Sequence, residues 1–363
     1  MLQVRNPNAT PSALRLACEA MGTRFECVLA GDQEPNLRAA AEAAFAEIES
    51  LHSRWSYFSS TSLVSRINQA GATRRVPLDT DTLDLLRLAL NTWQDTEGCF
   101  DITIAPLMRR WGFRPLPNLV ARASGPCPSS PTSSSTATCP TPDPATPRWG
   151  SQHLSLDTHA HTLAFTTPGI EIDLGAIAKG AALDAAASII RDAGVTSALL
   201  HGGTSSVIAI GTPPDSPRGW PIRLGPDPSA PVVHLYNAAL GVSAHHGRTA
   251  DAGDLTVGHI IDPRTGEPGL FDSTLVGSPS RHGSGYVGSP SRHAGRTPAA
   301  PNLTLAACIH PSAALADAWS TALLVRGCAQ GLTLPANLHF ALRSSIAWTY
   351  SDHFTTLAHG APP

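Results

Sequence analysis

Residues 172–186 read "IDLGAIAKGAALDAA", and within them the pattern changes from that of a strand to that of a helix. The alternation in "IEIDL" (170–174) predicts a short strand, and the small and apolar residues of 177–193 predict a helix that ends at Gly194. A helix that begins after a glycine-containing turn presents unpaired backbone N–H groups, which attract a phosphate. Lys179, near the start of this helix, is the only lysine among the 363 residues. Every other basic side chain, apart from histidine, is arginine, and lysine and arginine are not equivalent at a phosphate. We therefore interpret this helix start, with its single lysine, as a candidate anion-binding site.

The pattern around this segment mixes hairpins with helices. Strand patterns occur at 24–31, 197–211, 338–343 and 347–351, and helix patterns occur at 36–55, from Asp79 to Gly98 and from Ser312 to Gly327. Strands and helices do not alternate regularly along the chain, so the sequence predicts an α+β fold.

Composition and charge argue against several classes of protein. The net charge of -3 gives no basic surface for nucleic acid, and no segment is long and apolar enough to span a membrane. The seven cysteines are scattered, with no spacing typical of zinc ligands or of a disulfide framework. The first residues lack the apolar run of a signal peptide, and those before Cys18 make a poor lipoprotein cleavage site. We therefore expect a cytoplasmic protein, provided that the start codon is correct.

Two stretches have the composition of inserted loops. The first, at about 115–149, is dense in Pro, Ser and Thr and shows no apolar period. The second, at about 273–300, contains the short echo "VGSPSRHGSGY" and "VGSPSRHAGRT". Such sequences cannot offset the entropy of ordering, and both are predicted to be flexible surface insertions.

Two side chains near the C-terminus suggest a metal site. In "ADAWSTALLV" (316–325), Asp317 and Thr321 are four residues apart, so both oxygens face the same side of the predicted helix. A carboxylate and a hydroxyl are hard ligands, of the kind that Mg²⁺ accepts beside substrate phosphates and water. The same spacing occurs by chance in many helices, so an ordinary surface pair remains an alternative.

A histidine precedes a tight turn in "GHIIDPRTGEP" (258–268). His259 lies where a strand is predicted to meet this turn, and a histidine there can act as a general base near neutral pH. The pair His245 and His246 is a rival, but adjacent residues of an extended segment point in opposite directions. We therefore favour His259 as the functional histidine.

Seven motifs, taken in order, resemble one family: the FAD:protein FMN transferases, or ApbE family. They are "MGTRF", "SYFSSTSLVSRIN", "GCFDITIAPLMRRWGF", "IDLGAIAKGAALD", "GGTSSVIAIG", "HIIDPRTGEP" and "ADAWSTALLV". The resemblance runs from about Met21 to Val325, and both predicted insertions fall between motifs. It implies an N-terminal extension over 1–20, followed by a transferase domain over 21–358. The implied fold is α+β, with two related mixed α/β subdomains and largely antiparallel sheets around a cofactor cleft.

The resemblance also implies a reaction and its partners. An enzyme of this family splits FAD in the presence of Mg²⁺, attaches FMN to a threonine or serine of a target flavoprotein, and releases AMP. Carried over by position, His259 is the catalytic residue, and Asp317, Thr321 and the carbonyl of Ala176 hold the metal. The implied cofactor-binding residues are Met21, Phe58, Cys99, Phe100, Asp101, Asp173, Lys179 and Ile260.

The chain departs from the family pattern at several positions. Phe58 stands where the family usually has tyrosine. Where many members read Asn-x-Gly-Gly-Asp, this chain has His201 in "LHGGT" and Thr204, and where many read Thr-Ser-Gly, it has Val242, Ser243 and Ala244. The predicted metal pair, Lys179 and His259 are retained. Two alternatives stay open: an Mg²⁺-dependent FAD pyrophosphatase that yields FMN and AMP, and a flavin-binding protein without catalysis.

Overall fold

A computed structural model describes residues 13–31, 33–114, 149–225, 227–245, 249–252, 255–270, 303–345, 347–352 and 354. The predicted insertion at 273–300 lies outside the described residues, as does that at 115–149 except for Trp149. No helix among the described residues is long and apolar enough to cross a membrane.

Sixteen described strands form four antiparallel sheets. In chain order they are β1 (Ala13–Ala20), β2 (Thr23–Ala30), β3 (Val76–Pro77), β4 (Leu154–Asp157), β5 (Thr162–Phe165), β6 (Ala198–Gly202), β7 (Ser206–Ile210), β8 (Trp220–Arg223), β9 (Val232–Leu235), β10 (Ala239–Ala244), β11 (Thr249–Ala252), β12 (Leu255–Asp262), β13 (Glu267–Leu270), β14 (Leu303–His310), β15 (His339–Ser344) and β16 (Trp348–Tyr350). The main sheet has eight strands in the order β1-β2-β6-β7-β10-β14-β15-β16. The smaller sheets are β11-β12-β13, β3-β5-β4 and the hairpin β8-β9.

Six α-helices accompany the sheets in the described residues. They are α1 (Glu34–Trp55), α2 (Leu63–Ala70), α3 (Thr80–Asp95), α4 (Ala105–Arg110), α5 (Ala178–Asp192) and α6 (Ala313–Arg326). The ends of α6 follow the sequence signals: the Ser312 side chain accepts a hydrogen bond from the Leu315 N–H, and Gly327 ends the helix at a φ of 85°. The helix predicted over 177–193 is confirmed as α5.

Helices α1, α5 and α6 cover one face of the main sheet, and the β8–β9 hairpin covers the other. The side chains of strand β14 point alternately to the two faces of the sheet, so they pack against both layers. Ala306 and Cys308 pack in the cluster that includes α6, whereas Leu305, Ala307 and Ile309 pack in the cluster that includes the hairpin. The fold is therefore mixed α/β with antiparallel sheets, as the sequence predicts.

Two glycines let α6 approach its neighbours at backbone distance. A Cβ at Gly180 of α5 would lie 2.3 Å from the carbonyl oxygen of Ala313, and a Cβ at Gly241 of β10 would lie 2.4 Å from that of Ala316. Both distances are too short for any side chain. These contacts fix the start of α6, which carries Asp317, against α5 and the main sheet.

The strand predicted at 170–174 is wrong, because the segment belongs to no sheet. Its backbone is instead satisfied by a side chain: Asn68 accepts from the Ile172 N–H at 2.8 Å and donates to the Ile172 carbonyl at 3.0 Å. The N–H of Asp173 donates to the Ile102 carbonyl at 2.7 Å. An alternating pattern cannot distinguish these partners from a neighbouring strand.

Residues 13–20, which the sequence places in an N-terminal extension, form β1 at the edge of the main sheet. They pair with β2 through a two-residue turn at Met21 and Gly22. Both turn residues have positive φ, 51° and 71°, which matches the twist of a tight hairpin. The boundary predicted after residue 20 thus falls within a hairpin.

Candidate active site

One cavity of about 990 Å³ brings together all the site residues predicted from the sequence. They come from both ends of the chain and from several elements between. The lining includes Met21, Phe58, Cys99, Phe100, Asp101, Asp173, Ala176, Lys179, His259, Ile260, Asp317 and Thr321. Their juxtaposition is a structural finding, whereas their individual roles stay predictions.

Asp317 is a buried carboxylate at the floor of this cavity. It is 6% exposed, and its Oδ2 accepts a hydrogen bond from the Ser206 hydroxyl at 2.8 Å. Burial raises the pKa of Asp317 to about 7, although the charge of Lys179 and hydrogen bonds from Ser206 and from the Gly180 N–H act to lower it. A carboxylate held in this way is suited to a bound cation, which would supply the missing positive charge.

Three further hydroxyl groups form a cluster beside Asp317. The Ser243 hydroxyl lies 2.8 Å from that of Ser320 and 3.0 Å from that of Thr321. Thr321 also donates to the Asp317 carbonyl at 3.2 Å. Sequence reasoning did not assign Ser206 or Ser320 to the site, and the only available signal was the proximity of Ser206 to a glycine turn and of Ser320 to Asp317.

These oxygens fit a hard divalent cation. The described residues contain no group of three or more His, Cys, Asp or Glu side chains that could hold a metal. A cation bound by Asp317 and Thr321 would therefore complete its ligand set with a backbone carbonyl, water or the phosphates of a substrate, which suits Mg²⁺. The donor chemistry agrees with the predicted metal pair, although its occupancy stays a prediction.

The start of α5 opens onto the same cavity. Its N-cap residue, Ile177, makes no side-chain cap, and the Gly180 N–H of the first turn donates to Asp317. The Lys179 ammonium lies beside this turn and donates to the Gly175 carbonyl at 3.4 Å. The helix dipole and the ammonium give this wall of the cavity a positive potential. Together with the Asp317–Thr321 pair, this wall has the charge and the polar groups that suit phosphate groups.

Two of the predicted cofactor-contacting carboxylates already have protein partners. Asp173 accepts from Arg114 Nε at 2.7 Å and from the Gly175 N–H at 2.8 Å. Asp101 accepts hydrogen bonds from both the backbone N–H and the hydroxyl of Thr103 and of Ser151. Both carboxylates thus shape the wall, and Arg114 is a lining residue that sequence reasoning missed.

The rings of Phe58 and Tyr57 form an aromatic pair that lines the cavity. Phe58, at the position where the family usually has tyrosine, is 51% exposed and contacts Tyr57 edge to face at 5.6 Å. The Tyr57 hydroxyl donates to Glu171 at 3.0 Å and accepts from Arg109 at 2.8 Å. The neighbouring hydroxyl is thus fixed by an ion pair and does not take the place of the one that Phe58 lacks.

His259 lies on β12 where the pairing with β13 is irregular. The register shifts between Val257 and Ile261, which indicates a bulge that includes His259 and Ile260. Bulges redirect side chains and are frequent next to active sites. The His259 ring lies 6.4 Å from that of Phe113, edge to face.

Two of the residues that depart from the family pattern line the cavity, and a third does not. Thr204 and Ala244 line the cavity, whereas His201 is not among the lining residues. The His201 ring instead lies 3.0 Å from the Gly203 carbonyl and 3.9 Å from Glu26. The His201 side chain is therefore accommodated outside the cavity.

Solved structures share this fold. The crystal structure of the ApbE protein from Thermotoga maritima superposes with a TM-score of 0.70 at 22% identity, covering 96% of this chain and 99% of that one. The eight-stranded sheet, its three covering helices and the cavity thus define a protein of the ApbE fold.

The sequence comparisons identify the family. The ApbE family model matches residues 21–280, and the chain belongs to the ApbE family. The FAD:protein FMN transferase of Klebsiella pneumoniae is 26% identical over 262 residues, covering 69% of each chain. That of Vibrio cholerae is 26% identical over 234 residues, covering 61% of this chain and 62% of the relative, which is less than two thirds of its length. The resemblance inferred from the motifs is confirmed.

Proposed function

We propose that the protein is an FAD:protein FMN transferase. It splits FAD, attaches FMN through a phosphoester to a threonine or serine of a target flavoprotein, and releases AMP. The observation that carries this proposal is the single cavity in which a buried carboxylate, a helix start with the only lysine, and a histidine meet. Its volume of about 990 Å³ lies at the upper end of the range for ligand pockets, ~300–1,000 Å³.

Asp317, Thr321 and the carbonyl of Ala176 would hold Mg²⁺. When bound, the ion stabilises the negative charge that develops on the phosphoryl oxygens. The Lys179 ammonium and the positive end of the α5 dipole attract the same phosphates from the other side. The aromatic and apolar residues of the wall, with Phe58 and Met21 among them, enclose the flavin ring.

His259 acts as the general base. Its imidazole takes the proton of the acceptor hydroxyl, whose oxygen forms a bond to the phosphorus on the FMN side. The bond from that phosphorus to the bridging oxygen breaks, and the oxygen leaves with AMP. Hydroxyl groups are poor nucleophiles at neutral pH, so a positioned base contributes ~10²–10⁴-fold to such a step.

The domain that performs this reaction is residues 21–358, with insertions at about 115–149 and 273–300. The motifs of the family support this division, and β1, which precedes the domain, pairs with its first strand. We also propose a cytoplasmic location for the protein.

One experiment tests the function. Purified protein is incubated with FAD and Mg²⁺, with and without a candidate acceptor domain that carries a threonine or serine, and AMP and protein-bound flavin are measured. The proposal expects AMP in proportion to flavin on the acceptor, and little without it. AMP released equally in both samples would identify a pyrophosphatase, and binding of FAD without AMP would identify a flavin-binding protein.

A further inference from the structure

We propose that Arg114 is a positioning residue of the FAD site, which neutralises Asp173 beside the start of α5 and holds the Phe58 ring at the cavity. This inference rests on the proposed function, because it concerns how the same site receives FAD. No motif singled out Arg114, which lies at the last described position before the insertion at 115–149.

The first contact is a buried ion pair. Arg114 Nε and Nη2 lie 2.7 Å and 2.6 Å from Asp173 Oδ2, and the two side chains are 9% and 5% exposed. The other oxygen of Asp173 accepts from the Gly175 N–H. Both oxygens of the carboxylate therefore have hydrogen-bond partners, and one guanidinium compensates its charge.

The position of this pair matters for an anionic ligand. Asp173 lies in the turn that leads into α5, next to Gly175, whose carbonyl accepts from Lys179. Phosphates that bind at the helix start would meet an unpaired carboxylate at close range, and the two like charges would repel each other. Arg114 removes that repulsion, so the positive potential of the helix start and of Lys179 can attract the phosphates.

The second contact is aromatic. The Arg114 guanidinium carbon lies 5.1 Å from the centre of the Phe58 ring and 5.7 Å from that of Tyr57. Tyr57 is itself fixed by Glu171, so the half-exposed Phe58 ring is restrained by the guanidinium and by an anchored neighbour. One side chain thus connects the phosphate wall with the aromatic wall of the cavity.

The test is an FAD titration of the full-length protein, followed by flavin fluorescence in the presence of Mg²⁺. The variants are Arg114→Gln, Asp173→Asn and the double variant. Arg114→Gln should raise the Kd for FAD by about tenfold, since it loses the stacking contact and exposes a carboxylate. Asp173→Asn in the same background should lower the Kd again by about threefold or more, because the repulsion is gone. In steady-state transfer, the rise in KM should exceed any fall in kcat.

Arg110→Gln is the matched control. It removes the same charge from the same short segment, but Arg110 is exposed and is not among the residues that line the cavity. A Kd for Arg114→Gln within about twofold of the Arg110→Gln value, or a double variant that binds no better than Arg114→Gln, would overturn the proposal.

Thermal melting of each variant guards against a folding defect. If Arg114→Gln does not fold, the comparison of Asp173→Asn with the double variant decides, since neither carries an unpaired carboxylate at 173. The proposal requires weaker FAD binding by the double variant, and equal affinities would refute it. Wild-type protein that fails to bind FAD would instead contradict the proposed function.

Discussion

The Asp317 carboxylate is the residue on which the metal prediction depends. Asp317→Ala should reduce Mg²⁺-dependent FAD turnover by about 10³-fold, because a metal ion contributes several kcal/mol to charge stabilisation. The measurement is AMP release at a series of Mg²⁺ concentrations. The control is Asp227→Ala, which removes an exposed carboxylate distant in sequence. A variant with wild-type turnover at low Mg²⁺ would exclude Asp317 as a ligand.

His259 tests whether binding and chemistry can be separated. His259→Ala should still bind FAD, because the phosphates and the flavin have other contacts, whereas FMN transfer should fall by ~10²–10⁴-fold. In the wild type the rate should fall as the pH drops through the titration of the histidine, and the variant should lose this dependence. Gel detection of flavin on the acceptor across pH provides the measurement. His159→Ala, in an exposed turn, is the control.

An opposite result for His259 is equally informative. If the variant loses FAD affinity but transfers at the wild-type rate when saturated, then His259 binds the cofactor and the base lies elsewhere.

Single residues were predictable from the sequence where their type is distinctive. The only lysine, the Asp317–Thr321 spacing and the histidine before a turn all led to the cavity. The sequence could not reveal that Arg114 reaches back to Asp173, since 59 residues separate them along the chain. It also could not show the bulge that carries His259, because register is a property of two strands.

At the scale of elements, the hydrogen bond at the start of α6 depends on the protonation state of His310. His310 accepts the Ser312 N–H on Nδ1 at 2.9 Å, and burial lowers the pKa of His310 below its ordinary value of 6.5. The unfolded chain thus binds more protons than the native protein just below pH 6.5, so stability should be lost as the pH falls through this range. Asp184 also faces this helix start, and burial raises the pKa of its carboxyl.

The variant His310→Asn isolates this contribution. Its side-chain oxygen can replace Nδ1 as the acceptor but does not titrate. The melting temperature of the wild type should fall more steeply between pH 7 and pH 5 than that of the variant, as circular dichroism would show. Asp184 is present in both proteins, so the difference between the two curves reports His310 together with its coulombic coupling to Asp184. Parallel curves would rule out His310 as the source.

The packing of α5 on α6 gives a prediction about one methyl group. Alanine for glycine within a helix usually adds stability, but at Gly180 the new Cβ would lie 2.3 Å from the Ala313 carbonyl oxygen. Gly180→Ala should therefore destabilise the protein by about 1–3 kcal/mol, as overpacking does, and should weaken FAD binding by displacing α6. Urea unfolding and FAD titration measure both effects. Ser188→Ala, on the exposed side of α5, is the control. A stabilised Gly180→Ala would show that the helices separate easily.

Helices were predicted better than strands, for a physical reason. A helix is stabilised by contacts within its own segment, and its caps, such as Ser312 and Gly327, lie in the local sequence. A strand depends on a distant partner. The alternation at 170–174 therefore predicted a strand where Asn68 supplies the hydrogen bonds, and β1 was missed because its pattern precedes the first recognised motif.

At the scale of the whole molecule, the main sheet joins strands that are distant in the sequence. Strand β10 lies between β7 and β14, although β8 and β9 separate it from β7 along the chain and β11 to β13 separate it from β14. The antiparallel class was predictable from the hairpins. The order of the strands was not, because it depends on which faces the helices cover, and that emerges only when all elements pack together.

The insertion at 115–149 can be tested as a dispensable part of this molecule. The chain on either side is tied to the fold: the Arg114 N–H donates to the Met108 carbonyl at 3.2 Å, and the Trp149 indole donates to the Pro263 carbonyl at 2.8 Å. Replacing 116–147 by a Gly/Ser linker of about 12 residues, which behaves as a flexible coil, should leave the melting temperature and the Kd for FAD unchanged. Limited proteolysis of the wild type should cut within the insertion first.

The linker must leave Arg114 in place, and an Arg114→Gln version of the shortened protein should show the same loss of FAD affinity as in the full chain. A shortened protein that folds but no longer binds FAD would show that the insertion contributes to the site.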